Sequence, residues 1–328
     1  MKTILELSQA LTAGKITSEA IVEEALARAT SREGEGGRVF IALDPEKVRA
    51  QARASDTLRR AGIVPSPLAG LPVSLKDLFD VAGETTSAGS VVLRDMPPAK
   101  ADAPTVARLR AAGAVIVGRT NLTEFAYSGI GINPHYDTPR NPYDRVTGRI
   151  PGGSTAGGAV SVADAMAVIG LGTDTGGSTR IPAALCGIVG YKPTKSRIPT
   201  DGVFPLSYSL DSVGPMGPSV ACCAICDAVL AGETPAAPAS ANLSGLRLAI
   251  PQTLVLDDLD QDVGRDFARA LQRLSAAGVK LIETPMAPFG EMNEINRPGG
   301  LSPMEAFHVH KRLLERAGDR YDQRVRWR

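Results

Sequence analysis

Helical and strand-like patterns alternate along most of this chain, and this alternation limits its fold more than any other feature. Apolar residues at helical spacing predict helices over Ser18–Ala29, Pro45–Ala61, Ala103–Ala112 and Asp262–Ala276. Short apolar runs predict strands over Val39–Leu43, Leu71–Leu75, Ala114–Gly118, Leu246–Ile250 and Val279–Ile282. We therefore predict an α/β fold with a mixed, largely parallel β-sheet covered by helices on both faces.

Composition narrows the classes of function. The 328 residues are 43% hydrophobic, enough for one large core, and the net charge of +1 gives no basic field for nucleic acid or an anionic membrane. No segment approaches the roughly 18 consecutive apolar residues of a membrane span, and the N-terminus is amphipathic and helix-like rather than a signal peptide. We expect a cytoplasmic protein with neither nucleic acid nor a membrane as partner.

The four cysteines favour buried free thiols. Cys222, Cys223 and Cys226 fall in a helical pattern over Val220–Leu230, and Cys186 stands alone. A metal site would need histidine or a second Cys-x-x-Cys nearby, and the sequence has neither. We expect no metal.

Two glycine-rich stretches carry serines that are typical of reacting groups. Ser154 lies in Gly152–Gly158, and Ser178 lies in Gly172–Arg180. Glycines on both sides let a substrate carbonyl approach the backbone, whose N–H groups can then bind it. The alternative is a phosphate-binding loop, but the lysine that such a loop requires is absent after Gly177. The pattern favours acyl transfer.

A serine nucleophile needs a base, and lysine is the better candidate here. The chain has three histidines, no Gly-x-Ser-x-Gly elbow and no Ser-x-x-Lys motif. Lys76 nearly ends the run Gly70–Asp77, in which Val73 and Leu75 alternate with Ser74 and Lys76 as on a strand with one apolar face. Burial there would lower the lysine pKa. Taken alone, Lys76 beside Asp77 also fits a surface ion pair.

Together these motifs resemble the amidase signature family. The resemblance rests on Pro72–Asp77, Gly152–Gly157 and Gly172–Pro182, with further matching residues over Ala183–Thr194 and Leu210–Pro215. It implies that Ser178 is the acylated nucleophile, that Ser154 is a cis-peptide serine relaying protons, and that Lys76 is the terminal base. It implies no cofactor and no metal.

The residue patterns predict the surroundings of these three residues. Ser178 would lie at the turn between a strand over Ala167–Thr173 and a short helix over Thr179–Cys186, and Gly129–Ile150, which lacks periodicity, is predicted to be an active-site loop. The remaining implied site residues are the oxyanion-hole N–H groups of Thr175, Gly176, Gly177 and Ser178, the supporting pair Asp174 and Arg180, and the substrate-binding residues Ala126 and Thr155. Two departures are Ala156, where the family has a glycine, and Thr179, where it has a branched aliphatic residue. Ala156 is expected to crowd a backbone that needs positive φ.

The function that the resemblance implies is hydrolysis of a small-molecule carboxylic acid amide to the acid and ammonia or amine. One alternative is a protein like the A subunit of glutamyl-tRNA amidotransferase, which typically carries glutamine where this chain has Ile181. Another is a non-catalytic interaction protein that keeps the motifs.

The resemblance implies a single domain over 1–328 with a catalytic core over about 65–220. The family normally continues well beyond the position of Arg328. Exposed apolar surface would follow, so we expect a homo-oligomer, or a marginally stable chain with an open site and weak substrate discrimination.

Overall fold

A computed structural model describes all residues 1–328 and contains thirteen α-helices and eight β-strands. The helices are α1 (Ile4–Thr12), α2 (Ser18–Ala29), α3 (Gly36–Val39), α4 (Pro45–Arg60), α5 (Pro104–Ala111), α6 (Ala156–Ala163), α7 (Arg180–Cys186), α8 (Val220–Ala231), α9 (Gln261–Ala276), α10 (Ala287–Gly290), α11 (Met292–Ile295), α12 (Leu301–Ala317) and α13 (Gln323–Arg326). The strands are β1 (Phe40–Leu43), β2 (Pro72–Lys76), β3 (Val115–Thr120), β4 (Ile169–Asp174), β5 (Val189–Gly190), β6 (Ser212–Gly217), β7 (Arg247–Pro251) and β8 (Lys280–Thr284). Two 3₁₀ turns cover Glu124–Ala126 and Gly318–Arg320.

Six strands form one mixed sheet in the order β1-β3-β2-β4-β6-β5. The three central strands β3, β2 and β4 are parallel, whereas β1, β6 and β5 run antiparallel to their neighbours. At the carboxyl end of β2, Lys76 pairs with Thr120 of β3. The predicted α/β fold with a mixed sheet is confirmed. The parallel part of the sheet is its centre, where β2 lies between the buried strands β3 and β4.

Alternating side chains of β2 face opposite sides of this sheet. Val73 and Leu75 belong to the largest apolar core, which also contains residues of α1, α2, α5 and α8. The Ser74 hydroxyl instead lies 2.8 Å from the Ser161 hydroxyl of α6, on the other face. Since successive strand residues alternate in direction, Lys76 points to the α6 side as well.

The predicted helices and strands agree with the observed ones to within two residues at each end. Local signals explain this agreement. In α8, for example, the Ser219 hydroxyl accepts the Cys222 N–H at 3.2 Å, and Gly232 ends the helix in the left-handed conformation. Several elements had no sequence prediction, among them α3, α6, β5, β6, α10, α11 and α13. Helix α6 begins inside a glycine-rich stretch, which sequence patterns usually assign to loops.

The chain divides into two compact units, which we describe separately. Unit 1 comprises residues 1–237 and 305–328 and contains the six-stranded sheet. Unit 2 comprises residues 238–304, in which β7 and β8 form a parallel pair connected through α9. The expectation of a single domain over 1–328 stays a prediction.

All four cysteines are buried free thiols, as predicted. Burial raises the pKa of the Cys186 and Cys223 thiols to about 12. None of the helices combines the length and the apolar character needed to cross a membrane.

Candidate active site

Lys76 is the most unusual side chain of the site, because it is a fully buried amine with no carboxylate bonded to it. Its Nζ donates to Ser154 Oγ and to Thr173 Oγ1, each at 2.8 Å. Burial lowers the pKa of Lys76 to about 7, although the charges of Asp211 and Asp174 oppose this shift. Near neutral pH a substantial fraction of this amine is therefore unprotonated.

Ser154 lies two residues before α6 and is fully buried. A cis peptide bond joins it to Gly153. A side chain at Gly153 would bring its Cβ to 2.6 Å from the backbone nitrogen of Gly131, so only glycine fits there. The Ser154 carbonyl accepts the Thr123 N–H at 3.1 Å. These backbone contacts fix the serine beside Lys76.

Ala156 does not crowd the backbone, which corrects the sequence expectation. It is the first residue of α6, and it is absent from the residues with positive φ. The left-handed conformation falls instead on Gly152, at φ 78°. Alanine is therefore well suited to position 156.

Ser178 lies in the connection between β4 and α7, where its carbonyl accepts the Thr155 N–H at 3.2 Å. Its relative exposure is 8%, whereas Ser154 is 0% exposed. No hydrogen bond joins the two serine hydroxyls. Ser178 is thus slightly more accessible than the buried Lys76–Ser154 pair, and no closed hydrogen-bond chain links the three side chains.

The backbone N–H groups before Ser178 fall into two sets. The Gly177 N–H donates to Asp174 Oδ1 at 2.7 Å and is thereby occupied. The N–H groups of Thr175, Gly176 and Ser178 have no hydrogen-bond partner in the protein. Three of the four N–H groups expected from sequence are free to bind an oxygen of a ligand.

Asp174 organises this turn through its carboxylate. It accepts from the Thr179 N–H at 3.1 Å and from the Thr179 hydroxyl at 2.9 Å, and Arg180 Nη2 lies 2.9 Å from Oδ1. Burial favours the neutral carboxyl, but the hydrogen bonds from Arg180 and Thr179 outweigh it and hold the pKa of Asp174 well below its usual range. Thr179, the second departure, supplies the hydroxyl that a branched aliphatic residue would lack.

The two residues expected to bind substrate lie in different surroundings. Ala126 ends the 3₁₀ turn and, like Phe125 before it, has positive φ, at 61° and 53° respectively. Thr155 is fully buried, and its hydroxyl donates to the Thr173 carbonyl at 3.4 Å. Its methyl group packs against Gly172, where a Cβ would come within 2.7 Å. The Thr155 side chain therefore packs inside the protein.

The segment 129–150 contacts the stretch that contains Ser154 and the helix α7 that follows Ser178. The Gly129 carbonyl accepts the Gly153 N–H at 2.8 Å. The Asn141 side chain donates to the carbonyl of Leu185, in α7, at 3.0 Å. This loop is therefore bonded to the residue before Ser154 and to the C-terminal part of α7.

Thr173 is the residue that sequence reasoning missed. It lies on β4, two strands from the sheet edge, and its hydroxyl contacts Lys76 from 97 residues away in the chain. Strand alternation would have placed Thr173 and Asp174 on opposite faces. The order of the strands, which brings β4 beside β2, was not available from the sequence.

Comparison with known proteins fits this geometry. The Amidase family model matches residues 20–326, and the chain therefore belongs to that family. It is 40% identical over 291 residues to the 2-amino-5-chloromuconic acid deaminase of Comamonas testosteroni, covering 87% of this chain and 63% of that protein. It is 38% identical over 302 residues to the A subunit of the glutamyl-tRNA(Gln) amidotransferase of Roseiflexus sp. (strain RS-1), covering 88% of this chain and 61% of that protein.

A solved amidase structure superimposes with a TM-score of 0.89 at 35% identity, covering 99% of this chain and 72% of that one. The chain thus spans less than two thirds of the length of the two curated relatives. The amidase signature resemblance is confirmed for the family and for the fold.

Proposed function

We propose that this chain carries the acyl-transfer centre of an amidase, which hydrolyses a small-molecule carboxylic acid amide through an acyl-enzyme at Ser178. Ser178 Oγ attacks the amide carbonyl, the C–N bond breaks, and the protonated amine or ammonia leaves. Water then attacks the acyl-enzyme and releases the acid. The single observation that carries this proposal is the buried Lys76 Nζ at 2.8 Å from Ser154 Oγ.

The proton relay follows from the charge state of Lys76. With a pKa lowered to about 7, the neutral amine can accept a proton from Ser154, whose oxygen takes the proton of Ser178. The same relay run backwards protonates the leaving nitrogen. Since hydrogen bonds of catalytic groups often close only when substrate binds, the Ser178–Ser154 contact is proposed to form in the substrate complex.

We assign the oxyanion hole to the N–H groups of Thr175, Gly176 and Ser178. They lie at the turn that leads into α7 and are free of protein partners, so they can bind the developing negative charge. We leave out Gly177, because its N–H is bonded to Asp174. Asp174 and Arg180 are positioning residues that hold the turn in shape.

The substrate contacts are proposed from the backbone. The left-handed conformation of Ala126 supports a role for its peptide groups, as the resemblance implied. The buried hydroxyl of Thr155 supports packing beneath the site instead of substrate contact. A small-molecule amide as substrate, a cytoplasmic location and a homo-oligomer stay predictions.

A transamidating protein is the second candidate, because the chain is similar to the A subunit of a glutamyl-tRNA(Gln) amidotransferase. The residue at position 181, an isoleucine, argues against a transamidating function. Its Cδ1 lies within 2.5 Å of the position that a Cβ on Gly177 would take, so an apolar group borders the nucleophile turn. An isoleucine cannot donate or accept a hydrogen bond, as glutamine would at this position.

The test is turnover by the purified chain across aliphatic, aryl and amino-acid amides, with ammonia release and intact mass as readouts. A mass increase equal to the acyl group should appear in the wild type and be absent from Ser178→Ala. Ser161→Ala, which removes a different buried hydroxyl, that of Ser161 in α6, is the matched control and should keep the acyl-enzyme mass increase. A folded chain that neither acylates nor turns over would support the non-catalytic alternative. Acylation by glutamine alone would support the amidotransferase-like one.

A further inference from the structure

Glu124 is a fully buried carboxylate at the start of the 3₁₀ turn that ends in Ala126. Neither a lysine nor an arginine forms an ion pair with it. A buried carboxylate is tolerated only where hydrogen-bond donors surround it. Nothing in the proposed reaction uses Glu124, so the donors around it indicate what this side chain does.

Both carboxylate oxygens of Glu124 contact groups from distant parts of the chain. Ser90 Oγ donates to Oε1 at 2.6 Å, and the Asp322 N–H donates to Oε2 at 2.7 Å from 198 residues away. His135 Nε2, from the loop over 129–150, lies 2.9 Å from Oε1 without the alignment of a hydrogen bond. The carboxylate therefore ties the turn to two other segments and lies against a third.

The turn itself is strained and depends on such contacts. Phe125 and Ala126 both lie in the left-handed region, at φ 53° and 61°, which residues other than glycine rarely adopt. They keep this conformation only where the surrounding structure holds them. The Phe125 N–H donates to the Ala88 carbonyl at 2.9 Å, but the Ala126 N–H bonds locally, to the Thr123 carbonyl at 2.8 Å. The conformation of Ala126 is therefore set by what anchors its neighbours.

Residues 305–328 supply much of this anchoring, and they belong to the same compact unit as the turn. The Phe125 ring packs edge-on against the His310 ring, with their centroids 4.4 Å apart. Asp322 donates its N–H to the Glu124 carboxylate. Two successive residues of the turn are thus held by the same segment, Phe125 through packing and Glu124 through a hydrogen bond.

We propose that Glu124 is a positioning residue for substrate binding: its carboxylate, fixed by its two donors, keeps the backbone of Ala126 in the conformation that contacts the substrate. This inference rests on the proposed function and assigns part of the substrate affinity to a buried side chain. Without the carboxylate the turn relaxes, and the apparent affinity falls to the fraction of molecules that keep the left-handed turn. Because Ala126 would contact the substrate in the ground state and the transition state alike, KM changes and kcat does not.

The first test is steady-state kinetics of the full chain with whichever of hexanamide, benzamide and leucinamide the wild type hydrolyses fastest. Glu124→Ala should raise KM about tenfold and leave kcat within about twofold of the wild type. Glu124→Gln keeps the shape, an oxygen for the Asp322 N–H and an amide that can donate to Ser90 Oγ, so its KM should stay within about threefold of the wild-type value. An unchanged KM in an active Glu124→Ala variant would overturn the proposal.

Asp56→Ala is the matched control for a general loss of stability. Asp56 is another buried carboxylate that accepts backbone N–H groups, those of Ser18 at 2.8 Å and Glu19 at 3.0 Å, where α4 meets α2. Its loss should lower the free energy of unfolding and leave KM unchanged. A KM that rises equally in Asp56→Ala and Glu124→Ala would reduce Glu124 to a structural role and overturn the proposal.

If Glu124→Ala fails to fold, the same contact can be broken from the other side. Asp322→Pro removes the N–H that Glu124 accepts, and the φ of −56° at this residue already suits proline. Its KM should exceed that of Asp322→Ala, which keeps the N–H, by about fivefold or more. Equal KM values in these two variants would also overturn the proposal.

A second readout does not depend on turnover. Hydrogen–deuterium exchange of the peptide covering 122–128 should be faster in Glu124→Ala than in the wild type and unchanged in Glu124→Gln, whereas peptides of α6 should exchange at the wild-type rate in both. Unchanged exchange in Glu124→Ala would overturn the proposal whether or not the chain is active. A wild type that hydrolyses no amide, with faster exchange in Glu124→Ala, would contradict the proposed function and the substrate contact, but not the hold of Glu124 on the turn.

Discussion

Replacing Lys76 with methionine should remove the proposed proton relay and yet stabilise the fold near neutral pH. The Lys76 pKa is about 7 in the folded protein, against 10.5 for an exposed lysine. Between these values the unfolded chain binds more protons than the folded one, so this lysine makes the free energy of unfolding rise with pH. Methionine has no such charge, and that pH dependence disappears with it.

The size of the effect follows from the two pKa values. Burying Lys76 costs about 4 kcal/mol at pH 7 and about 2 kcal/mol at pH 9. Lys76→Met removes this cost, but it leaves the hydroxyls of Ser154 and Thr173 without their shared donor, which lowers the free energy of unfolding by about 1 kcal/mol for each hydroxyl. The variant should therefore be about 2 kcal/mol more stable than the wild type at pH 7 and about equal to it at pH 9.

The assay is urea unfolding at pH 7, 8 and 9. Pulse proteolysis cleaves the unfolded fraction, and mass spectrometry then quantifies the peptides that come from β2 and β4. These peptides report on the sheet that holds Lys76, and not on residues 238–304. Ser154→Ala keeps the lysine, so its free energy of unfolding should still rise with pH between pH 7 and pH 9, unlike that of Lys76→Met. If wild type and Lys76→Met show parallel dependence on pH, Lys76 does not titrate near neutrality, and the reasoning is refuted.

Three further predictions concern the neighbours of Lys76 and the thiols. Thr173→Val removes a hydrogen-bond acceptor that stabilises the Lys76 ammonium, so the pH midpoint of kcat/KM should fall below about 7. Thr173→Ser keeps the hydroxyl and should restore the midpoint, and an unchanged midpoint in Thr173→Val would contradict the contact. Asp174→Asn weakens the hydrogen-bond acceptor in the turn that contains Ser178, and it should lower the free energy of unfolding by about 2 kcal/mol in urea titrations. An unchanged free energy of unfolding would exclude a supporting role for Asp174. Cys186 and Cys223, with pKa values of about 12, should resist iodoacetamide at pH 8 until the chain unfolds, and rapid labelling of the native protein would argue against their burial.

Several features of this protein could be predicted from the sequence because their causes are local. Helix ends depend on residues within one turn, as Ser219 and Gly232 illustrate for α8. The alternation of Val73 and Leu75 with Ser74 and Lys76 is a property of one strand, and it correctly separated the core face from the polar face.

Other features required the tertiary structure because they depend on which distant segments become neighbours. The contact of Thr173 with Lys76 exists only because β4 pairs with β2, and no pattern within either strand encodes that pairing. The buried ion pair of Arg119 with Asp77 likewise forms because β3 lies beside β2. The sequence by itself thus indicated which residues are candidates for the proposed reaction, whereas long-range packing determined which of them become neighbours, because the contacts of Lys76 with Ser154 and Thr173 join segments 78 and 97 residues apart.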